Sequence, residues 1–314
     1  MAQLANSMAT FSAAGLREQL ANDIYNISPE ETPFLAMIGK EKANGVLEEW
    51  QTDSLRAAAN NKREQGNEAA PATRTPTKRV GNRTQISDDT YAVTGTQEAV
   101  QKAGRKSEIA YQDAKIMVEL KKDVEFGAMQ NTTSIAAAAG VAPQARGVLG
   151  WLETNANFGA TGVNPDPDTN TAPTDGTLRT FTEAMLKDVA QKCWTSGGNP
   201  DRLFVPAALR STVDGFTGGA TKFDKTEDKT LHATVEVYVG PFGRYSIINS
   251  RHQRDRDVFL LDTSMFALMT LRPMKGKDLA ITGDSHKRLI NTEWTLKCKN
   301  EAASGVIRDL QPAP

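Results

Sequence analysis

Val46-Leu47-Glu48-Glu49-Trp50-Gln51-Thr52-Asp53 opens the stretch on which the fold turns. Its alternation and its aromatic suit a strand, and Thr52 and Asp53 end it. Residues 54–83 follow, made of Ala, Asn, Arg, Lys, Pro and Thr, with Leu55 and Val80 the only large apolar side chains. Thr84-Gln85-Ile86-Ser87 and Tyr91-Ala92-Val93-Thr94 then read as a returning limb. A polar segment of this length cannot build a core and is out of place in an isolated compact domain. It is either without structure or ordered by something outside its own fold.

Charge gives that segment a partner. From Arg56 to Arg83 seven bases face Glu64 and Glu68, a net of +5, whereas Glu18 to Asp53 holds eight acids against Lys40 and Lys42, a net of −6. A nucleic-acid patch would interleave aromatics among the bases for stacking, and none is there. A loop crossing the acidic stretch of another copy fits better. The expected contact residues are Trp50, Arg56, Lys62, Arg63, Arg74, Lys78, Arg79 and Arg83 on the loop. On the acidic side they are Glu30, Glu31, Glu48, Glu49 and Asp53.

Upstream, residues 1–28 spread Leu4, Phe11, Leu16, Leu20, Ile24 and Ile27 thinly among Ala, Asn and Ser. They read as a short amphipathic helix or as an arm that orders against another subunit. Ser28 with Pro29 and Glu31 has the spacing of a helix start, and Phe34, Leu35, Met37 and Ile38 follow as an apolar anchor.

Downstream, Thr96 to Gln130 is helical in pattern, with Ala103, Ala110, Ala114, Met117, Val124 and Ala128 on one face. Lys106, Glu108, Lys115, Lys122 and Glu125 take the other. The uninterrupted part from Arg105 to Asn131 would be roughly 40 Å long. Residues 140–177 dissolve into loop around the apolar island Val148–Leu152. A helix over Thr180–Trp194, a strand at Arg202–Val205, a helix from Pro206 to Arg210 and strands at Thr234–Val239 and Arg244–Ile248 come next. Val258–Asp262, Met265–Leu271, Leu279–Thr282, Ile290–Cys298 and a closing strand in Asn300–Leu310 complete the pattern. Runs of strands beside separate helices make the class α+β.

Composition removes other function classes. The 314 residues are 39% hydrophobic and 24% charged with a net charge of −1, ordinary values for a chain with a real core. No apolar run is long enough to span a bilayer, so no membrane partner and a cytoplasmic site of synthesis are expected. Cys193 and Cys298 are expected as free thiols, Cys193 as a small buried residue. His232, His252 and His286 stand far apart without ligand spacing, so no metal and no cofactor is expected. There is no phosphate-binding glycine loop and no nucleophile elbow. Ser285-His286 reads as a tight turn, and Asp255 and Asp257 among Arg251, Arg254 and Arg256 as a solvated salt-bridge turn, so no catalytic residue is expected.

Three stretches together resemble the major capsid proteins of tailed bacteriophages with the Hong Kong 97-type (Johnson) fold. They are Ile27–Phe34 with Glu49–Leu55; Ile109–Lys115 through Glu119–Glu125; and Leu261–Leu268 with Leu271–Pro273, Leu279–Ser285, Glu293–Leu296 and Asn300–Ala303. The last set is similar to a podophage-type subgroup. The resemblance implies an N-terminal arm (1–44), an extended loop (45–95), a peripheral domain with a long spine helix (96–149 and 263–314) and an axial domain (150–262). It implies a non-enzymatic subunit that assembles with itself into hexamers and pentamers of an icosahedral head around double-stranded DNA, which it would touch non-specifically. A portal protein at one vertex, a separate scaffolding protein and a decoration protein are the other implied partners, with assembly in the bacterial cytoplasm. No Lys–Asn crosslink is expected, although Lys62 and Lys78 lie in the loop. The alternatives are an encapsulin-like compartment and a cytoplasmic α/β enzyme.

Overall fold

The computed structural model describes residue 28 and residues 31–68, 71–216 and 236–312. The expected arm helix over Leu4–Ile27, the residues Pro29, Glu30 and His232, and the start of the strand at Thr234 lie outside them.

The chain enters through helix α1 (Pro33–Met37) and strand β1 (Gly39–Lys42). A hairpin of β2 (Leu47–Thr52) and β3 (Lys78–Arg83) follows, and β4 (Gln85–Thr94) leads through α2 (Gly95–Ala99) into α3 (Glu108–Met129). After β5 (Ala156–Asn157) come α4 (Glu183–Thr195), β6 (Arg202–Pro206), α5 (Ala207–Asp214), β7 (Val237–Gly240), β8 (Gly243–Ser250) and β9 (Val258–Leu261). The long pair β10 (Phe266–Asp278) and β11 (Ser285–Cys298) precedes the short β12 (Gly305–Ile307).

Two sheets organise these elements. One has the order β1-β10-β11-β4 and carries α3; the other has the order β5-β12-β9-β6-β8-β7 and carries α4 and α5. Parallel and antiparallel pairs mix in both, as an α+β chain requires. The principal core joins the sheets. Phe34 on α1 meets Phe204 of one sheet at 5.8 Å and Phe266 of the other at 6.0 Å, both edge to face. A second core lies beneath α4 and α5, around Leu186, Val189, Leu203, Leu209 and Leu260.

Several expectations need correcting. The limb that returns from the loop is β3, not residues 84–94: Trp50 pairs with Val80 and Leu47 with Arg83. β4 pairs instead with β11 and belongs to the four-stranded sheet. The first described helix starts at Pro33. Its Thr32 supplies no side-chain cap, and the buried Glu125 carboxylate accepts the Phe34 and Leu35 amides at 2.9 and 2.8 Å. A carboxylate on the free amides of a helix start does the work of an N-cap from 90 residues away in sequence.

That same residue was expected on the polar face of α3. Ser107 caps the helix through the Ala110 amide, and 22 residues follow, about 33 Å at the usual rise. The buried stripe is Ile116, Leu120, Val124 and Ala128, while Ala110, Ala114 and Met117 face outward. Ile, Leu and Val bury more apolar area than an alanine row, so they set the rotation. Glu108 is buried too, holding Gln112 and Arg105.

Leu279–Thr282 is the connection between β10 and β11 and carries no strand, and Ser285-His286 begins β11. Residues 33–42 are core and sheet, not free arm, and β12 joins the six-stranded sheet through β9, apart from β10 and β11. The Asp255–Asp257 turn is only half solvated. Asp257 is fully buried beside Arg254 at 3.3 Å, and burial pushes its carboxyl up to about 7 despite three nearby arginines. Cys193 and Cys298 are buried and free.

Candidate functional site

The hairpin divides at Asp53 into a fixed foot and an outer tip. At the foot, β2 and β3 pair from Leu47–Arg83 to Thr52–Lys78. The Trp50 ring lies 5.4 Å from that of Trp151, in the apolar island Val148–Leu152, and its N–H donates to the Cys298 carbonyl at 2.9 Å. On β3, Asn82 is fully buried. Its amide nitrogen donates to the Leu296 carbonyl at 2.7 Å, and its oxygen accepts the Arg146 amide at 2.8 Å. Gly81 has no room for a side chain, because an added Cβ would lie 2.9 Å from the Glu48 carbonyl. Two anchors, one aromatic and one amide, thus fix the direction in which the hairpin leaves the body.

Beyond them every described residue from 53 to 79 is exposed, and Leu55 is 97% exposed. Arg56, Lys62, Arg63 and Arg74 lie on this tip. Lys78 and Arg79 do not join them as free charges. Lys78 is 3.1 Å from Asp168, and Arg79 grips Glu49 through two hydrogen bonds at 2.8 and 2.5 Å. Arg83 sits half-buried at the foot, its amide donating to Asn82 and to the Ser134 hydroxyl.

The acidic set is likewise engaged at home. Glu31 is 3.7 Å from Arg251, Glu48 accepts the Asn44 and Gly45 amides, and Asp53 accepts the Ser54 amide. Glu30 is not among the described residues. The structure therefore brings Glu49 and Arg79 together within one chain, joins Lys78 to Asp168, and leaves Arg56, Lys62, Arg63 and Arg74 exposed. Sequence reasoning missed Trp151, Asn82 and Arg146. The apolar island signalled the first; an asparagine and an arginine in polar surroundings gave no signal for the others.

Among the described residues no group of three or more His, Cys, Asp or Glu is placed to hold a metal ion. No helix of the described chain is long and apolar enough to cross a membrane.

Comparison with known proteins identifies the family and the fold. The family described as SU10 major capsid protein matches residues 4–311. The major capsid protein of Escherichia phage Phieco32 is 27% identical over 335 aligned positions, covering 95% of each chain. Among solved structures, the capsid of a native GTA particle superposes with a TM-score of 0.66 at 10% identity, covering 98% of this chain and all of that one. A phage G structure of major capsid and decoration proteins gives 0.57 at 12% identity, covering 98% and 99%. At these identities the structures speak for the fold, which is the Hong Kong 97 type.

Proposed function

The chain belongs to the family of SU10 major capsid proteins, and from that premise we propose that its hairpin is the arm by which one subunit of a phage head holds the next. The protein is a phage major capsid protein, with a structural and not an enzymatic role. Its place is the virion head.

The observation that carries the reading is the contrast within the hairpin. Trp50 and Asn82 fix its foot, while the tip at 53–79 is exposed throughout its described length. Ordering a foot to aim a polar tip costs conformational entropy that an isolated subunit does not recover. Contact with a second subunit recovers it. The exposed bases Arg56, Lys62, Arg63 and Arg74 then supply orientation and encounter rate more than affinity.

On this reading residues 47–83 form the extended loop, 96–149 and 263–314 with β1 and β4 form the peripheral domain with α3 as its spine, and 150–262 form the axial domain. β12 lies at the seam, contributing its strand to the sheet of the axial part. Hexamers and pentamers close an icosahedral shell around double-stranded DNA, with a portal protein at one vertex and a separate scaffolding protein during assembly in the host cytoplasm. A decoration protein is in keeping with the phage G head, which carries one on the same fold.

The test replaces residues 54–77 by an Asn-Gly turn that joins β2 to β3. The variant is expected to fold as a monomer and to form no shells by negative-stain microscopy. Shells of normal size and yield would overturn the reading.

A further inference from the structure

Immediately beside the hairpin foot stands a second projection of opposite character. Residues 135–142 read Ile-Ala-Ala-Ala-Ala-Gly-Val-Ala, and all eight are exposed. They form a narrow finger. Ile135 and Gln144 exchange backbone hydrogen bonds at 2.9 and 3.2 Å, as do Ala138 and Val141. Gly140, at φ +78°, makes the turn. Ile135 is 36% and Val141 47% exposed.

The finger is not loosely held. At its base the Ser134 hydroxyl accepts the Arg83 amide of β3, and the Ser134 amide and carbonyl are both bonded to the Asn170 side chain. Asn170 in turn accepts from the Arg146 guanidinium, and the Arg146 amide donates to Asn82. Hairpin and finger therefore rise from one hydrogen-bonded foot.

We propose that this apolar finger is a second intersubunit contact, seated on another copy of the same chain. The proposal rests on the capsid reading above and names a surface that reading does not use. Eight consecutive residues without a polar side chain, held rigidly in water, are what a monomer avoids and an interface requires. The absence of any cation on the finger argues against packaged DNA as its occupant, since phosphate contact runs on Lys and Arg. Every copy in a shell exposes the same finger, and a second copy of the chain lies beside each one. Continuity with the hairpin foot places the two contacts on the same side of the subunit.

Two measurements test this. Val141→Cys offers the one accessible thiol among the described residues, because Cys193 and Cys298 are buried. In the free subunit it should react readily with a maleimide; in assembled shells it should be protected, and a photoactivatable crosslinker attached there should join chain to chain. Equal labelling rates in subunit and shell, or crosslinks only to a different protein, would overturn the proposal. Ile135→Ser with Val141→Ser should leave the melting temperature unchanged, as exposed positions do, while shell yield falls about tenfold. Normal yield would likewise overturn it. These outcomes are independent of the hairpin: if the hairpin deletion still assembles while the finger variants do not, the finger stands and the loop reading falls.

Discussion

Trp50 and Trp151 pack with ring centroids 5.4 Å apart and planes tilted by 41°, joining the outgoing limb of the hairpin to the loop after α3. Lys297 lies 5.9 Å over the same Trp50 ring, and Arg146 lies 4.5 Å over Trp151. Two indoles between two cations, with the Trp50 N–H spent on the Cys298 carbonyl, make a hinge that holds its angle.

Removing that hinge should uncouple the hairpin before it unfolds the body. Trp50→Ala is expected to cost about 2 kcal/mol, less than a fully buried aromatic because Trp50 is only half buried. Urea titration reads the cost, and hydrogen exchange should rise first over residues 47–52 and 78–83. Equal protection there in variant and wild type would remove the hinge from the account.

Glu125 should matter more for stability than any surface charge. It is fully buried, and burial raises its carboxyl above the usual carboxylate range while the Phe34 and Leu35 amides pull it back. Glu125→Ala strands two buried donors at roughly 1–3 kcal/mol each. Glu125→Gln keeps one acceptor oxygen and should lose about half as much. Chemical denaturation of the two variants checks the order.

How far the sequence displayed all this depends on the kind of interaction. Strands β6, β8 and β9 of the six-stranded sheet and helix α4 were legible from apolar spacing, because local burial governs them, whereas β5 lies in a stretch read as loop. The polar hairpin was legible as a hairpin, yet its register was not. Val80, alone among polar neighbours, pairs with Trp50 by a long-range match that spacing cannot show. Glu125 was misplaced for the same reason: on a helix a glutamate is ordinarily a solvated charge, and only the distant start of α1 makes it a cap. The tip's charge was visible, but cis pairing was not, so Lys78 and Arg79 were counted as free when Asp168 and Glu49 already hold them.

That cis pairing sharpens the electrostatic prediction. Arg56, Lys62, Arg63 and Arg74 changed together to Glu should block assembly while leaving the monomer's melting curve unchanged. Lys78→Glu and Arg79→Glu should disturb assembly less, because they first break pairs within their own chain. Raising salt from 0.05 to 0.5 M should slow wild-type assembly, since exposed charges are screened beyond about 10 Å near 0.1 M. Light scattering follows the rates, and a salt-independent rate would discard the charge contribution.

Asp257 predicts a pH dependence with a definite sign. Its folded-state carboxyl is raised to about 7 from an ordinary value of 3.8 by burial. The folded chain therefore binds more protons than the unfolded one between those values, so this group's contribution to stability falls as pH rises from 4 to 7 and is level above. Arg254, Arg256, Arg308 and Asp175 surround it and set its local field. Asp257→Asn should flatten the melting temperature across that interval; an unchanged slope would assign it to other groups.

The central claim is that the hairpin tip belongs to a neighbour. A cryo-electron reconstruction of the assembled shell tests it most directly. The account predicts residues 54–77 ordered against an adjacent subunit, with Arg56, Lys62, Arg63 and Arg74 within ion-pair distance of that subunit's acids. A tip folded back on its own chain, or left in solvent in every subunit of the shell, would contradict it.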